Sequence, residues 1–216
     1  MGWINKLDRK FGRGGIPHLM YYVTATMLAV FLVQLLFPQL GIAGWLYFDR
    51  ALILQGQLWR LITFAFLPPS SSVLWIVLSL YFYCLIGNAL ESEWGTFRFN
   101  IFYLCGILGN ILAGFITGSA VNSVLNLSLF LAFAVLYPNY QVMLFFFIPI
   151  KVKYLALLDA LYFAVQLIFG SWTVRLSVVV SLLNILLFFG GDFLNTVRRE
   201  SSYWKTRYNF RKNNRY

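Results

Sequence analysis

Long apolar segments recur along this chain, and they restrict the folds open to it more than any other feature. Six of them approach the roughly 20 residues that an α-helix needs to cross a bilayer. They cover residues 17–37, 72–90, 97–118, 120–137, 152–170 and 173–191. Only 11% of the 216 residues are charged, against about 25% in soluble domains. The sequence therefore predicts an all-α polytopic membrane protein with six transmembrane helices.

The positive charges predict how these helices are oriented. Fourteen Lys and Arg residues lie in the N-terminal segment, in the loops after spans two and four, and in the C-terminal tail, whereas the other loops hold three. Because positive residues collect on the cytoplasmic side, we expect both termini there. The expected organisation is a cytoplasmic amphipathic segment at 1–16, a membrane domain at 17–191 and a basic cytoplasmic tail at 192–216.

The net charge of the chain is +10. Basic segments next to a membrane are attracted to anionic lipid headgroups, which explains this charge without a nucleic-acid partner. We therefore expect the basic tail to bind lipid headgroups and expect no nucleic acid. The sequence has no recognisable metal or cofactor motif, so we expect neither.

Two segments between the spans carry their own predictions. Residues 41–69 are too rich in aromatic and aliphatic side chains for a water-exposed loop, so we expect them to lie in the outer leaflet as helical pieces. Residues 142–150 are apolar but short, and Pro138 and Pro149 lie at either end. They predict a hairpin or half-span at the cytoplasmic face, with a slanted continuation of span four as the alternative.

Two motifs are spaced in a way that resembles the rhomboid superfamily, which includes rhomboid proteases and inactive relatives such as the derlins. One is a Trp-Arg pair after the first span, and the other repeats at four-residue steps across the end of span two. Their residues are Trp59, Arg60, Gly87, Glu91, Gly95 and Phe99. The resemblance implies a rhomboid-like bundle with a large amphipathic first outer loop.

These motif residues also have a purely structural interpretation. Trp59 and Arg60 fit an interfacial anchor, with the indole ring at headgroup depth and the guanidinium on a lipid phosphate. Glu91 fits a cap on a tight turn between spans, where Gly95 supplies backbone freedom. In this interpretation the residues shape the fold and do no chemistry.

The resemblance also implies where catalytic residues would lie. Rhomboid proteases carry a serine at the start of span four, a histidine on span six, and a histidine and an asparagine on span two. Here the corresponding positions fall on Ser123, Asn184, Trp75 and Ser79. A serine needs a neighbouring base to remove its proton, and an amide is not a base. We therefore treat these four positions as vestigial.

The single histidine of the chain does not replace the missing base. His18 precedes the first span, on the side of the membrane opposite the predicted place of Ser123. A hydrocarbon core of ~30 Å separates the two sides, whereas a proton transfer needs ~3 Å. An aspartyl protease is a minor alternative, in which Asp159 and Asp192 would share a proton, although the glycine spacing around Asp192 does not match such enzymes.

Polar residues inside spans three and four predict either a hydrogen-bonded seam between helices or a client-binding surface. Four of them are spaced at i, i+3, i+4 and i+7, on one helical face of span four: Ser119, Asn122, Ser123 and Asn126. Ser128 lies nearby, and Asn110 lies on span three. A seam would join these residues to Asn184 on span six.

The function that follows is noncatalytic. We expect a rhomboid-like protein of a plasma membrane, bacterial in type, that binds, chaperones or regulates other transmembrane proteins at a lateral opening. One alternative is an intramembrane serine protease that uses Ser123. A second alternative, a small-molecule transporter or channel, has less support because the sequence has no internal repeat.

Overall fold

The computed structural model describes residues 14–144 and 148–188. Its bundle is built from six helices: α1 Leu19–Leu36, α5 Val73–Trp94, α6 Thr96–Thr117, α7 Ser123–Leu136, α8 Val152–Phe169 and α9 Trp172–Phe188. In the described part of the chain, α1, α5, α6 and α8 are long and apolar enough to cross a membrane. The helices α7 and α9 are shorter and apolar. A multi-pass helical membrane protein is confirmed, and the count of six spans stays a prediction.

The L1 loop, residues 37–72, connects α1 to α5 and consists of short helices. These are α2 Ile42–Leu46, α3 Arg50–Leu54, α4 Arg60–Thr63 and the 3-10 turns Pro38–Leu40 and Phe64–Phe66. The helical pieces predicted for residues 41–69 are therefore confirmed. Phe48, Ile53 and Phe64 are buried in a cluster with Ala120, so the L1 loop packs onto the connection between α6 and α7.

An antiparallel hairpin follows α7, with strands β1 Gln141–Leu144 and β2 Ile148–Lys151. Val142 pairs with Ile150, and Met143 pairs with Pro149. Both strands of a two-stranded hairpin are edge strands, which tolerate proline. The hairpin predicted for residues 142–150 is confirmed, and the alternative of a continuous span four is wrong.

The long helices alternate in direction, so the bundle has two faces. The turn face contains the α5–α6 turn, the start of α1 and the hairpin. The hairpin lies there because Tyr137, between α7 and the hairpin, donates its hydroxyl to Oε2 of Glu93 at the end of α5, at 3.1 Å. The loop face contains the L1 loop and the α6–α7 and α8–α9 connections, since the Ser119 and Thr173 hydroxyls lie 3.3 Å apart. The predicted amphipathic segment at 1–16 lies almost wholly outside the described residues, and the basic tail and Asp192 lie entirely outside them.

The main core lies between α1, α5, α6 and α7. Its fully buried side chains include Met27 of α1, Ile76 of α5, Phe99 of α6 and Leu125 of α7. By contrast, α8 buries three residues, Val152, Asp159 and Phe163, and it packs on α7 and, through Phe163, on α9. The central helices therefore form a fixed frame, and α8 is attached to it along one narrow stripe.

Candidate functional site

The four-residue-step motif fastens the turn face. Glu91 Oε1 accepts hydrogen bonds from the backbone N–H of His18 at 3.0 Å and from the Thr96 hydroxyl at 2.8 Å. Gly95 lies between α5 and α6 with φ +85°, a conformation that disfavours residues with a side chain. The buried carboxylate thus ties the entry of α1 to the turn between the next two helices.

The remaining members of this motif are packing residues. A Cβ at Gly87 would collide with Met20, because α1 and α5 approach closely there. Phe99 is completely buried in the main core. Together with the contacts of Glu91, this packing supports the structural interpretation of the motif.

Arg60 has a structural role inside the L1 loop. Its side chain is only 3% exposed. One guanidinium nitrogen donates to the carbonyl oxygens of Gly44 and Tyr47 at 2.9 and 2.8 Å, and Nε donates to Gln57 Oε1 at 2.7 Å. Arg60 is therefore too deeply buried to bind a lipid phosphate as the interfacial interpretation requires. Trp59 beside it is 47% exposed, as an interfacial ring requires.

Ser123 is the first residue of α7 and lies exposed at the loop-face end of that helix. The predicted polar face from residue 119 to residue 126 is wrong, because Ser119 and Asn122 precede the helix. Gly118 turns the chain with φ +97°, and the Asn122 amide donates to the Leu67 carbonyl at 2.8 Å. Asn122 therefore links the L1 loop to the start of α7 and takes no part in the interior seam.

The imidazole of His18 is far from Ser123. His18 directly precedes α1 on the turn face, where its ring lies against Tyr21 with 5.6 Å between centroids. Ser123 comes after the opposite end of α6, a helix of 22 residues and hence ~33 Å long. The separation expected from the sequence agrees with this geometry.

The structure does not bring Asn184 to Ser123. The Asn184 amide donates to the Phe102 carbonyl of α6 at 3.1 Å. The part of α9 that packs beside the start of α7 is Val178, in a cluster with Val124. Asn184 lies six residues further along α9, or ~9 Å closer to the turn face.

The two other vestigial positions, Trp75 and Ser79, lie in the first two turns of α5, on the loop-face half of the bundle. The Trp75 side chain is half exposed and that of Ser79 is partly buried.

The polar residues predicted to form a seam are buried but make few bonds between helices. The Asn110 amide donates to the Gly106 carbonyl at 2.9 Å and the Ser128 hydroxyl to the Leu125 carbonyl at 2.6 Å, both within their own helices. The Asn126 side chain on α7 interacts with the Tyr83 hydroxyl of α5, whereas Oδ1 of Asn110 and Oδ1 of Asn184 have no hydrogen-bond partner among the described residues. These groups therefore retain hydrogen-bonding capacity inside the bundle.

Three further polar residues are buried: the sequence did not point to Ser177 or Ser181, and it pointed to Asp159 only as part of an aspartyl protease. Ser177 and Ser181 on α9 are completely buried, and their hydroxyls have no hydrogen-bond partner in the described ranges. Asp159 on α8 is 7% exposed, and both of its carboxylate oxygens are likewise unpartnered there. A signal for the serines was available, because with Asn184 they repeat at i, i+4 and i+7 on one helical face.

These features define a class: a polytopic helical membrane protein with buried polar side chains, an exposed serine at a helix start and its one imidazole at the opposite face. The family model described as Rhomboid domain matches residues 55–195, which is well over half of the chain. The chain therefore belongs to the rhomboid family, as its motifs predicted. Among curated proteins, none matches the chain.

Proposed function

We propose that this protein is a noncatalytic member of the rhomboid family that binds transmembrane helices of other membrane proteins and so chaperones or regulates them. The observation that carries this proposal is the position of His18, the one histidine of the sequence, at the face opposite Ser123. A serine nucleophile needs a base within ~3 Å. Lys151 and Lys153, at the end of β2 and the start of α8, also belong to the turn face.

The exposed faces of α5 and α8 support a client site between them. On α5 the exposed side chains of the loop-face half include Leu74 and Val77, and the exposed side chains of the first ten residues of α8 include Leu157 and Leu161. Helices in a membrane associate through packing and hydrogen bonds, because lipid tails are as apolar as their side chains. A client helix that displaces lipid here must therefore fit the surface closely and form hydrogen bonds with it. The unpartnered polar side chains inside the bundle could form these hydrogen bonds with the client.

The distribution of Lys and Arg along the chain supports a plasma-membrane protein whose turn face lies in the cytoplasm. The segments that lead into this face hold fourteen of the seventeen basic residues, and such segments stay on the cytoplasmic side. In this orientation the basic tail lies beside anionic headgroups and binds them.

Site-specific photocrosslinking tests the client site. A photoreactive residue at Val77 of α5 or Leu161 of α8, each 59% exposed, should capture membrane proteins in native membranes. The matched control is Leu112 on α6, which is 66% exposed and lies outside the proposed site. Adducts with lipid only, or the same proteins captured equally from all three positions, would contradict the proposal.

An intramembrane serine protease is the alternative, and the position of Ser123 favours it. The hydroxyl is exposed at a helix start, where backbone N–H groups and the helix dipole stabilise negative charge. This alternative requires a base beside Ser123, and the side chain of Ser123 has no hydrogen-bond partner within the described residues.

A further inference from the structure

Asp159 is an ionisable residue within a membrane-spanning helix. It lies seven residues after the first residue of α8, or ~10 Å into the helix. In the described part of the chain neither carboxylate oxygen has a hydrogen-bond partner. An unpaired charge in hydrocarbon is costly, and such residues commonly mark sites of function in membrane proteins.

The position of Asp159 on α8 is a gap between two apolar contacts. Towards the turn face, Val152 and Ala156 pack into the main core. Towards the loop face, Phe163 packs against Val124 of α7 and Val178 of α9. Asp159 therefore interrupts the narrow stripe that holds α8 to the bundle.

Serine side chains lie at the same level on the neighbouring helices. The cluster of Phe163, Val124 and Val178 brings α8, α7 and α9 together at one level. About one helical turn closer to the turn face, the corresponding residues are Asp159 on α8, Ser128 on α7 and Ser181 on α9. Both serines are completely buried. The Ser181 hydroxyl has no partner among the described residues, so this level of the bundle is polar and incompletely bonded.

We infer that Asp159 is the receptor for a basic residue of the client, so that the clients are transmembrane helices with a Lys or Arg at hydrocarbon depth. This inference rests on the proposed function and specifies which helices are bound. A carboxylate and a basic side chain attract strongly where the dielectric constant is low. A basic residue in a lipid-exposed helix lacks a partner, and Asp159 supplies one. Because α8 is attached by one stripe, its displacement admits the client.

The experiment uses the full chain in phosphatidylcholine vesicles with a synthetic Leu-Ala transmembrane helix that carries one Lys at the depth of Asp159. Fluorescence energy transfer between labels on the two partners measures binding. The Lys helix should bind about tenfold more tightly than the same helix with Leu, in the range of single polar contacts between helices. Asp159→Asn should remove this preference, Asp159→Glu should keep it, and Asp159→Lys should transfer it to a Glu helix.

The outcomes separate this inference from the proposed function. Equal binding of the Lys and Leu helices, or a preference for Lys that survives in Asp159→Asn, would overturn the role of Asp159 while leaving client binding intact. Absence of binding by both helices, together with absence of protein crosslinks from α5 and α8, would overturn both. Thermal unfolding of each variant in detergent verifies that it is folded, and Asp159→Asn is close in shape to the native side chain.

Discussion

At the scale of single residues, Glu91 and Arg60 form hydrogen bonds with groups that water would otherwise hydrate. Glu91 accepts one backbone and one side-chain hydrogen bond at the turn face. Arg60 donates to two carbonyl oxygens of the L1 loop. Hydrogen bonds to charged groups are stronger than those between neutral groups. Each residue therefore links segments that are separated along the chain, by 73 positions for Glu91 and His18 and by 16 for Arg60 and Gly44.

The Glu91→Ala variant should lower the free energy of unfolding by about 2–3 kcal/mol, the usual range for buried hydrogen bonds to a charged group. The His18 N–H and the Thr96 hydroxyl would both lose their acceptor. Unfolding by increasing fractions of dodecyl sulfate in mixed micelles measures the change. The control is Glu93→Ala, two residues away and exposed, which should cost less than ~1 kcal/mol. Equal losses in the two variants would contradict the role given to Glu91.

At this scale the sequence predicted types of role better than partners. The motif spacing pointed to a structural role for Glu91 and Gly95 at a turn, because the step of four residues crosses the end of a span. The bond from His18 to Glu91 joins residues 73 positions apart, which no local pattern encodes. The sequence alone predicts a lipid phosphate as the partner of Arg60. It does not reveal that the guanidinium is buried, because this burial depends on the tertiary fold of the L1 loop.

At the scale of elements, glycines decide how closely the helices pack. Gly87 of α5 contacts Met20 of α1, and a Cβ at Gly106 of α6 would collide with Leu125 of α7 and lie 3.1 Å from the Asn184 amide. Small residues allow helix backbones to approach in a membrane. These contacts draw α1, α5, α6 and α7 into one frame.

The Gly87→Ala variant should therefore be destabilised. The added methyl group would overlap Cβ and Cγ of Met20, which lie next to the Met20 backbone and cannot move aside as the end of that side chain could. Overpacking of this kind costs about 1–3 kcal/mol. The matched control is Gly44→Ala, whose added Cβ meets no atom within 4 Å and which should be neutral or slightly stabilising. The same mixed-micelle unfolding measures both variants, and an unchanged midpoint for Gly87→Ala would refute the close approach of α1 and α5.

Elements were predicted where hydropathy alone determines them. The long spans and the helical L1 loop follow from apolar length, and the hairpin follows from a short apolar segment with Pro138 before it. The start of α7 was missed by three residues, since Gly118 turns the chain and the Asn122 side chain bonds to the L1 loop. That bond depends on residues 55 positions apart, so periodicity within span four could not reveal it.

At the scale of the whole molecule, the two faces of the bundle separate the groups that a serine protease must bring together. The loop face carries Ser123, and the turn face carries His18. The polar residues in between, including Asn110, Asp159 and Ser181, retain unpartnered atoms within the described ranges. This separation of Ser123 from the imidazole supports the proposed noncatalytic function, in which the bundle holds the helix of another membrane protein.

Labelling of the purified, reconstituted full chain with a fluorophosphonate probe tests this account most directly. The probe reacts with a serine whose proton is removed by a neighbouring base. We predict the same background labelling for the wild-type protein and for Ser123→Ala. Strong labelling of the wild type that disappears in Ser123→Ala would show an activated serine and contradict the noncatalytic function.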